Sequence, residues 1–328
     1  MALATICCAS CSHSTNKNTE GEEFKFSKDL SVSDSLALND VFQIWNWKLT
    51  DSNLAIIDQT KGDTLLYVYA WPDFVRKDYS IRKGNGPGEF IVLNPGQAKD
   101  RNNMLVYDIM RRQAFLYEVE GKDNTPVAEF GLPVDGDGLA LPITSLNQVN
   151  DSVFVAKVDG YDAPEWKIVN LKNQEILHSQ NPVIADEKNP DIVFDFIQEA
   201  KNNRLMVAYE YIDRVEIYDI TPDYKMELKE AYGADKISSG IADYQNKEGR
   251  SLSICSDDKN FYLLKSQEGE DAGNVVESYN IASGVREGLY SLDKSVESIS
   301  IDPKGRLIGH MPDADQSIFY IWNLSASN

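Results

Sequence analysis

The stretch Ile192-Val193-Phe194-Asp195-Phe196-Ile197, Lys201-Asn202-Asn203, Leu205-Met206-Val207-Ala208-Tyr209, Ile212-Asp213, Val215-Glu216-Ile217-Tyr218, Thr221-Pro222-Asp223, Met226-Glu227-Leu228-Lys229 decides the fold. Four short segments rich in β-branched and aromatic residues alternate with three turn signals. Asn, Asp and Pro mark the turns because they tolerate the left-handed or fixed backbone angles that a tight reversal needs. The spacing predicts four antiparallel strands in about 40 residues, with no helical period.

The same unit recurs along the chain. A polar turn followed by a short apolar strand is found at Ser52-Asn53-Leu54, Asn102-Asn103-Met104, Asp151-Ser152-Val153, Asn203-Arg204-Leu205, Lys259-Asn260-Phe261 and Gly305-Arg306-Leu307, with successive spacings of 50, 49, 52, 56 and 46 residues. A second landmark, a polar or small residue between two large ones, keeps the same phase at Ala70, Glu118, Asn170, Asp219, Asn280 and Asn323. Two landmarks in step are the mark of a repeat architecture. Six units of four strands predict an all-β, six-bladed β-propeller over residues 23–328, which replaces the two domains that a length of 328 residues first suggests. The last unit is one strand short at Asn328. The alternating segment Glu23-Phe24-Lys25-Phe26-Ser27-Lys28 is expected to supply that fourth strand and so close the ring.

Composition excludes several classes of function. The chain has 32 basic and 52 acidic residues, a net charge of −20. That field repels polyanions and disfavours a nucleic-acid partner or adsorption to anionic lipid. The 42% hydrophobic fraction is that of a globular chain, and no apolar run reaches membrane-spanning length. Three of the four cysteines, Cys7, Cys8 and Cys11, cluster at the start. One imidazole, His13, and no second cysteine pair lie near them, too few ligands for a structural zinc. Cys255 alternates within a strand as a small apolar side chain.

The order apolar stretch, Ala9-Ser10, Cys11, polar tail resembles a bacterial lipoprotein signal. That resemblance implies a truncated signal over residues 1–11 ending at a lipidated Cys11, then a polar tether over 12–22. Ile81-Arg82-Lys83-Gly84-Asn85-Gly86-Pro87-Gly88-Glu89-Phe90, followed by Pro95 and Asn103-Met104-Leu105-Val106-Tyr107-Asp108, resembles the inter-blade signature of NHL-type propellers and the TolB-like propeller lipoproteins of Bacteroidetes. The resemblance implies a periplasmic or surface-exposed, lipid-anchored propeller. Gly84, Gly86, Pro87, Gly88, Glu89 and Phe90 read as a tight crossover between blades. They do not make a dinucleotide loop, since Glu89 stands where the third glycine is required.

Chemical sites are sparse. Asp135 and Asp137 are candidate calcium ligands, although Leu146 occupies the twelfth position of an EF-hand loop and fails that pattern. The chain has three histidines. His178 reads as an outer-strand residue and His310 as the end of a strand facing a loop surface. No nucleophile elbow accompanies them. Trp45 and Trp47 fall on one face of a strand. Trp71 and Trp166, near strand ends, are candidates for stacking on a sugar or peptide, against the simpler reading of packing between blades. The expectation is a monomeric, envelope-anchored binding scaffold for a protein or glycan, without catalysis or cofactor, its only membrane contact a lipid anchor. The alternative is a metal-dependent hydrolase or lactonase with a divalent cation such as calcium on the channel axis.

Overall fold

The structure is a computed structural model that describes residues 24–39, 44–58, 62–120, 125–160, 164–182, 196–234, 250–266, 271–313 and 316–324. Cys11, the signal over 1–11 and the tether over 12–22 lie outside the described residues. Strands β1 (Phe26–Leu30) and β2 (Asp34–Leu38) precede the first blade. Blade 1 is β3 (Asn46–Leu49), β4 (Asn53–Ile57), β5 (Thr64–Ala70) and β6 (Arg76–Arg82); blade 2 is β7 (Asn94–Gly96), β8 (Asn103–Asp108), β9 (Gln113–Glu118) and β10 (Ala128–Gly131). Blade 3 is β11 (Ile143–Gln148), β12 (Val153–Asp159), β13 (Pro164–Asn170) and β14 (Glu175–Gln180); blade 4 is β15 (Phe196–Lys201), β16 (Arg204–Tyr209), β17 (Arg214–Ile220) and β18 (Met226–Gly233). Blade 5 takes β19 (Ser251–Ser256), β20 (Asn260–Ser266), β21 (Gly273–Asn280) and β22 (Arg286–Val296); blade 6 takes β23 (Ser298–Ile301), β24 (Arg306–Asp313) and β25 (Gln316–Asn323). Among the described residues there is no helix. The chain is a six-bladed β-propeller.

Each interface between adjacent blades holds its own apolar cluster. Period-2 alternation divides one strand between two of them. In β16, Leu205, Val207 and Tyr209 join the cluster shared with blade 3, whereas Met206 and Ala208 join the one shared with blade 5. A strand buried on both faces reads as an unbroken apolar run, which is why the second strand of each unit is the strongest sequence landmark. The turn between β15 and β16 is a two-residue hairpin with both Asn202 and Asn203 at positive φ (52° and 57°), as the asparagine pair suggests.

The Gly84–Phe90 crossover joins blade 1 to blade 2. Glu89 Oε2 accepts the amide of Gly86 at 2.8 Å, and Gly84 N donates to Phe90 O at 2.9 Å. A Cβ on Gly84 would lie 2.1 Å from Glu89 Oε2, and Gly88 has φ +74°, so both positions require glycine. Phe90 is buried edge-on to Phe115, and Arg111 donates to the carbonyls of Glu89 and Gly86.

Ring closure differs in one respect from the expectation. A segment near the N-terminus does complete blade 6, but it is β2, antiparallel to β25 from Asp34↔Ile321 to Leu38↔Ser317. The segment around Phe24–Lys28 belongs instead to β1, which adds a fifth, parallel strand to blade 5 against β22, from Phe26↔Gly288 to Leu30↔Leu292. The physical reason is local fit. The ring of Phe26 lies over Gly288, where a Cβ would come within 2.1 Å of it, and meets Tyr290 edge-on at 5.3 Å. Between the two strands Asp293 acts as a clasp. It accepts the amide of Val32 at 3.0 Å and the indole N–H of Trp322 at 3.0 Å.

Desolvation works against ionised Asp293, but the Trp322 indole and the Val32 amide outweigh it and hold the carboxyl below its ordinary range. The stability it contributes is therefore present above the unfolded-state pKa and is lost as pH falls through the depressed folded value. Asp293→Ala is expected to lower stability at pH 7 by about 1 kcal/mol, a figure reduced for solvent screening at this exposed carboxylate. Urea denaturation checks this, and an unchanged midpoint would show that the clasp contributes nothing.

Candidate functional site

The first strand of each blade faces the ring axis, so β3, β7, β11, β15, β19 and β23 wall a central channel of about 930 Å3. Hydrogen bonds tie every adjacent pair of blades along this wall. Lys48 Nζ donates to Asp100 O at 3.4 Å, and the Gln97 and Gln148 amides exchange bonds with the carbonyls of Leu146 and Gln97 at 2.8 and 2.7 Å. Trp166 Nε1 donates to Gln198 Oε1 at 3.1 Å, Ser256 Oγ to Glu199 Oε1 at 2.6 Å, Ile299 N to Ser253 Oγ at 3.2 Å and Trp47 Nε1 to Ser298 Oγ at 2.8 Å. Two further bonds skip a blade. Gln97 Nε2 reaches Glu199 Oε1 at 2.9 Å, and Arg101 crosses from blade 2 to Ile301 O on blade 6 at 3.0 Å.

Glu199 is the centre of this belt. It is 4% exposed, and burial pushes its carboxyl up to about 7, against the Ser256 hydroxyl and the charges of Lys48 and Lys201. Lys48, half-buried on β3, is brought down to about 8 by desolvation, which the attraction of Glu199 opposes. A carboxyl and an amine both displaced toward neutrality by burial make this channel the candidate site. Around them stand polar atoms that have no hydrogen-bond partner among the described residues: Asn147 Oδ1, Gln198 Nε2 and His310 Nε2. All three are closed off from solvent by their neighbours, and each carries a desolvation cost that the fold absorbs. Trp45 lines the same channel with 52% of its surface open.

The residues expected from sequence to form a site are not brought together. Trp166 is fully buried, closed in by Phe196 at 5.4 Å and Tyr218 at 5.3 Å, so neither ring face is free for a ligand. Trp71 is half-buried in a different interface, against Phe74 and Phe319. His310 does not face a loop surface. It is 2% exposed within β24, packed between Trp47 and Phe319, and burial lowers its pKa to about 4, which leaves it neutral. Asp135 spends Oδ1 on the amides of Asp137 and Leu139, at 2.9 and 2.8 Å, so it caps its own loop. Among the described residues no group of three or more His, Cys, Asp or Glu side chains is placed to share a metal ion. Glu199 accepts from the Gln97 amide and the Ser256 hydroxyl and lies in the field of Lys48 and Lys201, surroundings suited to hydrogen-bonding rather than to a divalent cation. Cys255 lines the channel as a buried thiol, its pKa raised by desolvation.

Sequence reasoning missed Glu199 and Lys48. The available signal was a charged residue inside the first, otherwise half-apolar strand of a blade, at Phe196-Ile197-Gln198-Glu199-Ala200 and Asn46-Trp47-Lys48-Leu49.

No protein-family model and no curated relative matches the sequence. Among solved structures the propeller is similar to a member of the DUF4221 family from Bacteroides vulgatus, with a TM-score of 0.59 and 12% identity over 90% of this chain and 97% of that one. It is similar to a Bacteroides fragilis protein named as an exported one, with a TM-score of 0.55 and 14% identity over 92% and 99%. The Cps50 (Swd1) β-propeller domain of Myceliophteria thermophila gives 0.50 at 8% identity over 90% and 100%. At these identities the likeness is one of fold.

Folded Glu199 keeps its proton up to about pH 7, whereas the unfolded side chain releases it near 4.5. Its contribution to stability is therefore complete below pH 4.5 and is lost as pH rises to 7. Glu199→Gln preserves an acceptor for Gln97 and Ser256. It is expected to match the wild type at pH 4 and to exceed it by up to about 3 kcal/mol at pH 8. Equal stability at both pH values, measured by denaturant titration, would contradict a buried carboxyl.

Proposed function

We propose that the protein is a non-catalytic recognition module of the bacterial cell envelope, tethered through Cys11, that takes a saccharide into its central channel. The observation that carries this reading is one open tryptophan, Trp45, lining a channel whose wall also presents the polar side chains of Gln97, Thr144, Ser145 and Ser300. An aromatic face packs against the C–H face of a sugar, and amide and hydroxyl side chains fix its hydroxyls. A channel of about 930 Å3 suits an oligosaccharide end and is too small for a folded protein. No cofactor is invoked. The likeness to a Bacteroides protein named as exported supports an envelope location. The Gly84–Phe90 crossover supports kinship with TolB-like and NHL-type propellers.

Trp45→Ala is expected to weaken saccharide binding at least tenfold, roughly the worth of one lost aromatic platform, with the denaturation midpoint unchanged. A glycan array followed by calorimetry measures this. Capture of peptides with no glycan bound would redirect the reading to a protein partner. Mass spectrometry of the N-terminus from native membranes tests the anchor, where an unmodified Cys11 would remove it.

A further inference from the structure

The two ends of the channel are chemically different. Each first strand begins at the face that carries the Gly84–Phe90 crossover and ends at the opposite face, in the turn that leads to the second strand. Six carboxylates and four cations line the channel. All but Glu297 lie in the later half of a first strand or in the turn after it, as Lys48, Glu199, Arg101 and Asp302 do. Apart from Glu297, the crossover end is walled by uncharged groups, Trp45, Thr144, Ser145 and Ser253 among them. Between the two ends, side chains cross the channel. Gln97 of blade 2 bonds Glu199 of blade 4, which also takes the hydroxyl of Ser256 on blade 5. Arg101 spans from blade 2 to Ile301 on blade 6. A chain threading the ring would have to break these bonds. Both bonds to Glu199 fall on Oε1, so Glu199 Oε2 and Gln97 Oε1 accept no hydrogen bond among the described residues.

We infer that the channel is a one-ended pocket, which admits a neutral saccharide through the crossover face and reads its chain terminus against a floor of Gln97 and Glu199. This rests on the channel being a saccharide site. Trp45 at the mouth supplies an apolar platform and the floor supplies two acceptors for terminal hydroxyls, so an end inserted from that face meets both. An internal stretch of a chain cannot reach the floor without cutting through the Gln97 and Arg101 bridges. The far end is taken up by its own structure. Asp302 accepts the Arg306 guanidinium at 2.7 Å, Asp257 accepts the amides of Lys259 and Asn260, both at 2.7 Å, and Asp258 faces Lys201 at 3.5 Å. Neutrality follows from the surroundings. Carboxylates outnumber cations along the wall and the whole chain carries −20, so an acidic sugar is repelled.

The test is calorimetry on the full chain with maltoheptaose and β-cyclodextrin, which share sugar unit and linkage, although only the first has ends. Maltoheptaose is expected to bind about tenfold more tightly, the worth of one or two hydrogen bonds that only a terminus makes. Two bulky substitutions locate the entrance. Thr144→Trp, at the crossover mouth, should weaken maltoheptaose binding about tenfold, whereas Lys99→Trp, at the far mouth, should leave it within about twofold. The comparison of the two sugars uses the unaltered protein, so it decides the matter should a variant fail to fold. Equal affinity for the two sugars, or the reverse order of the two variants, overturns the one-ended pocket and leaves the saccharide reading standing. Binding of neither sugar overturns both.

Discussion

Everything in this molecule depends on closing the ring. A blade buries both faces of its sheet against its neighbours, so an open ring would expose two apolar faces at once, those of blades 6 and 1. The chain prevents this with β2, whose hydrogen bonds to β25 complete blade 6 and whose Leu38 enters the cluster shared with blade 1. Phe319 is the hub of that seam. It lies 5.4 Å from Trp47, 6.1 Å from Trp71, 5.7 Å from Phe74 and 5.2 Å from His310. Strand β1 then covers the outer edge of blade 5, which would otherwise template association with a second chain.

Closure also creates the site. Pinning six first strands around an axis turns residues that are about fifty positions apart in sequence into neighbours across a channel. Glu199 and Gln97 are 102 residues apart, Arg101 and Ile301 200 apart, yet each pair shares a hydrogen bond. A carboxyl buried at 4% exposure, with a pKa near 7, weakens the fold at neutral pH. An apolar residue there would pack at no such cost. Retention of an acid and its amine at the one place where all blades meet is the kind of local inconsistency that functional sites display.

The blades were legible in the sequence because each of their determinants is local. Turn pairs such as Asn202-Asn203, the alternation of Leu205 to Tyr209 and the Gly84–Phe90 crossover act within a few residues. Closure was legible only in kind. Phe24–Lys28 and Asp34–Leu38 have the same period, and what separates them is a partner almost the whole chain away, the bare Cα of Gly288 under Phe26 or the edge of β25. The tryptophans show the same limit. Trp166 and Trp45 both stand near strand ends, but the third strand of blade 3 faces its neighbour blade on both sides, whereas the start of β3 opens on the axis. Radial position in a blade is not encoded by spacing from a turn.

The net charge of −20 acquires a meaning once the ring is known. On the outer strands and loops carboxylates pair with cations, as Asp223 does with Lys225 and Glu287 with Lys25. These exposed pairs add little stability, and the surplus of 20 negative charges beyond them sets up a field that opposes association. The channel follows the same rule: six carboxylates line it against four basic side chains, and Lys201 there faces Asp258 at 3.5 Å. A polyanion is therefore repelled by the shell and by the channel lining alike, whereas a neutral polar ligand meets no such barrier.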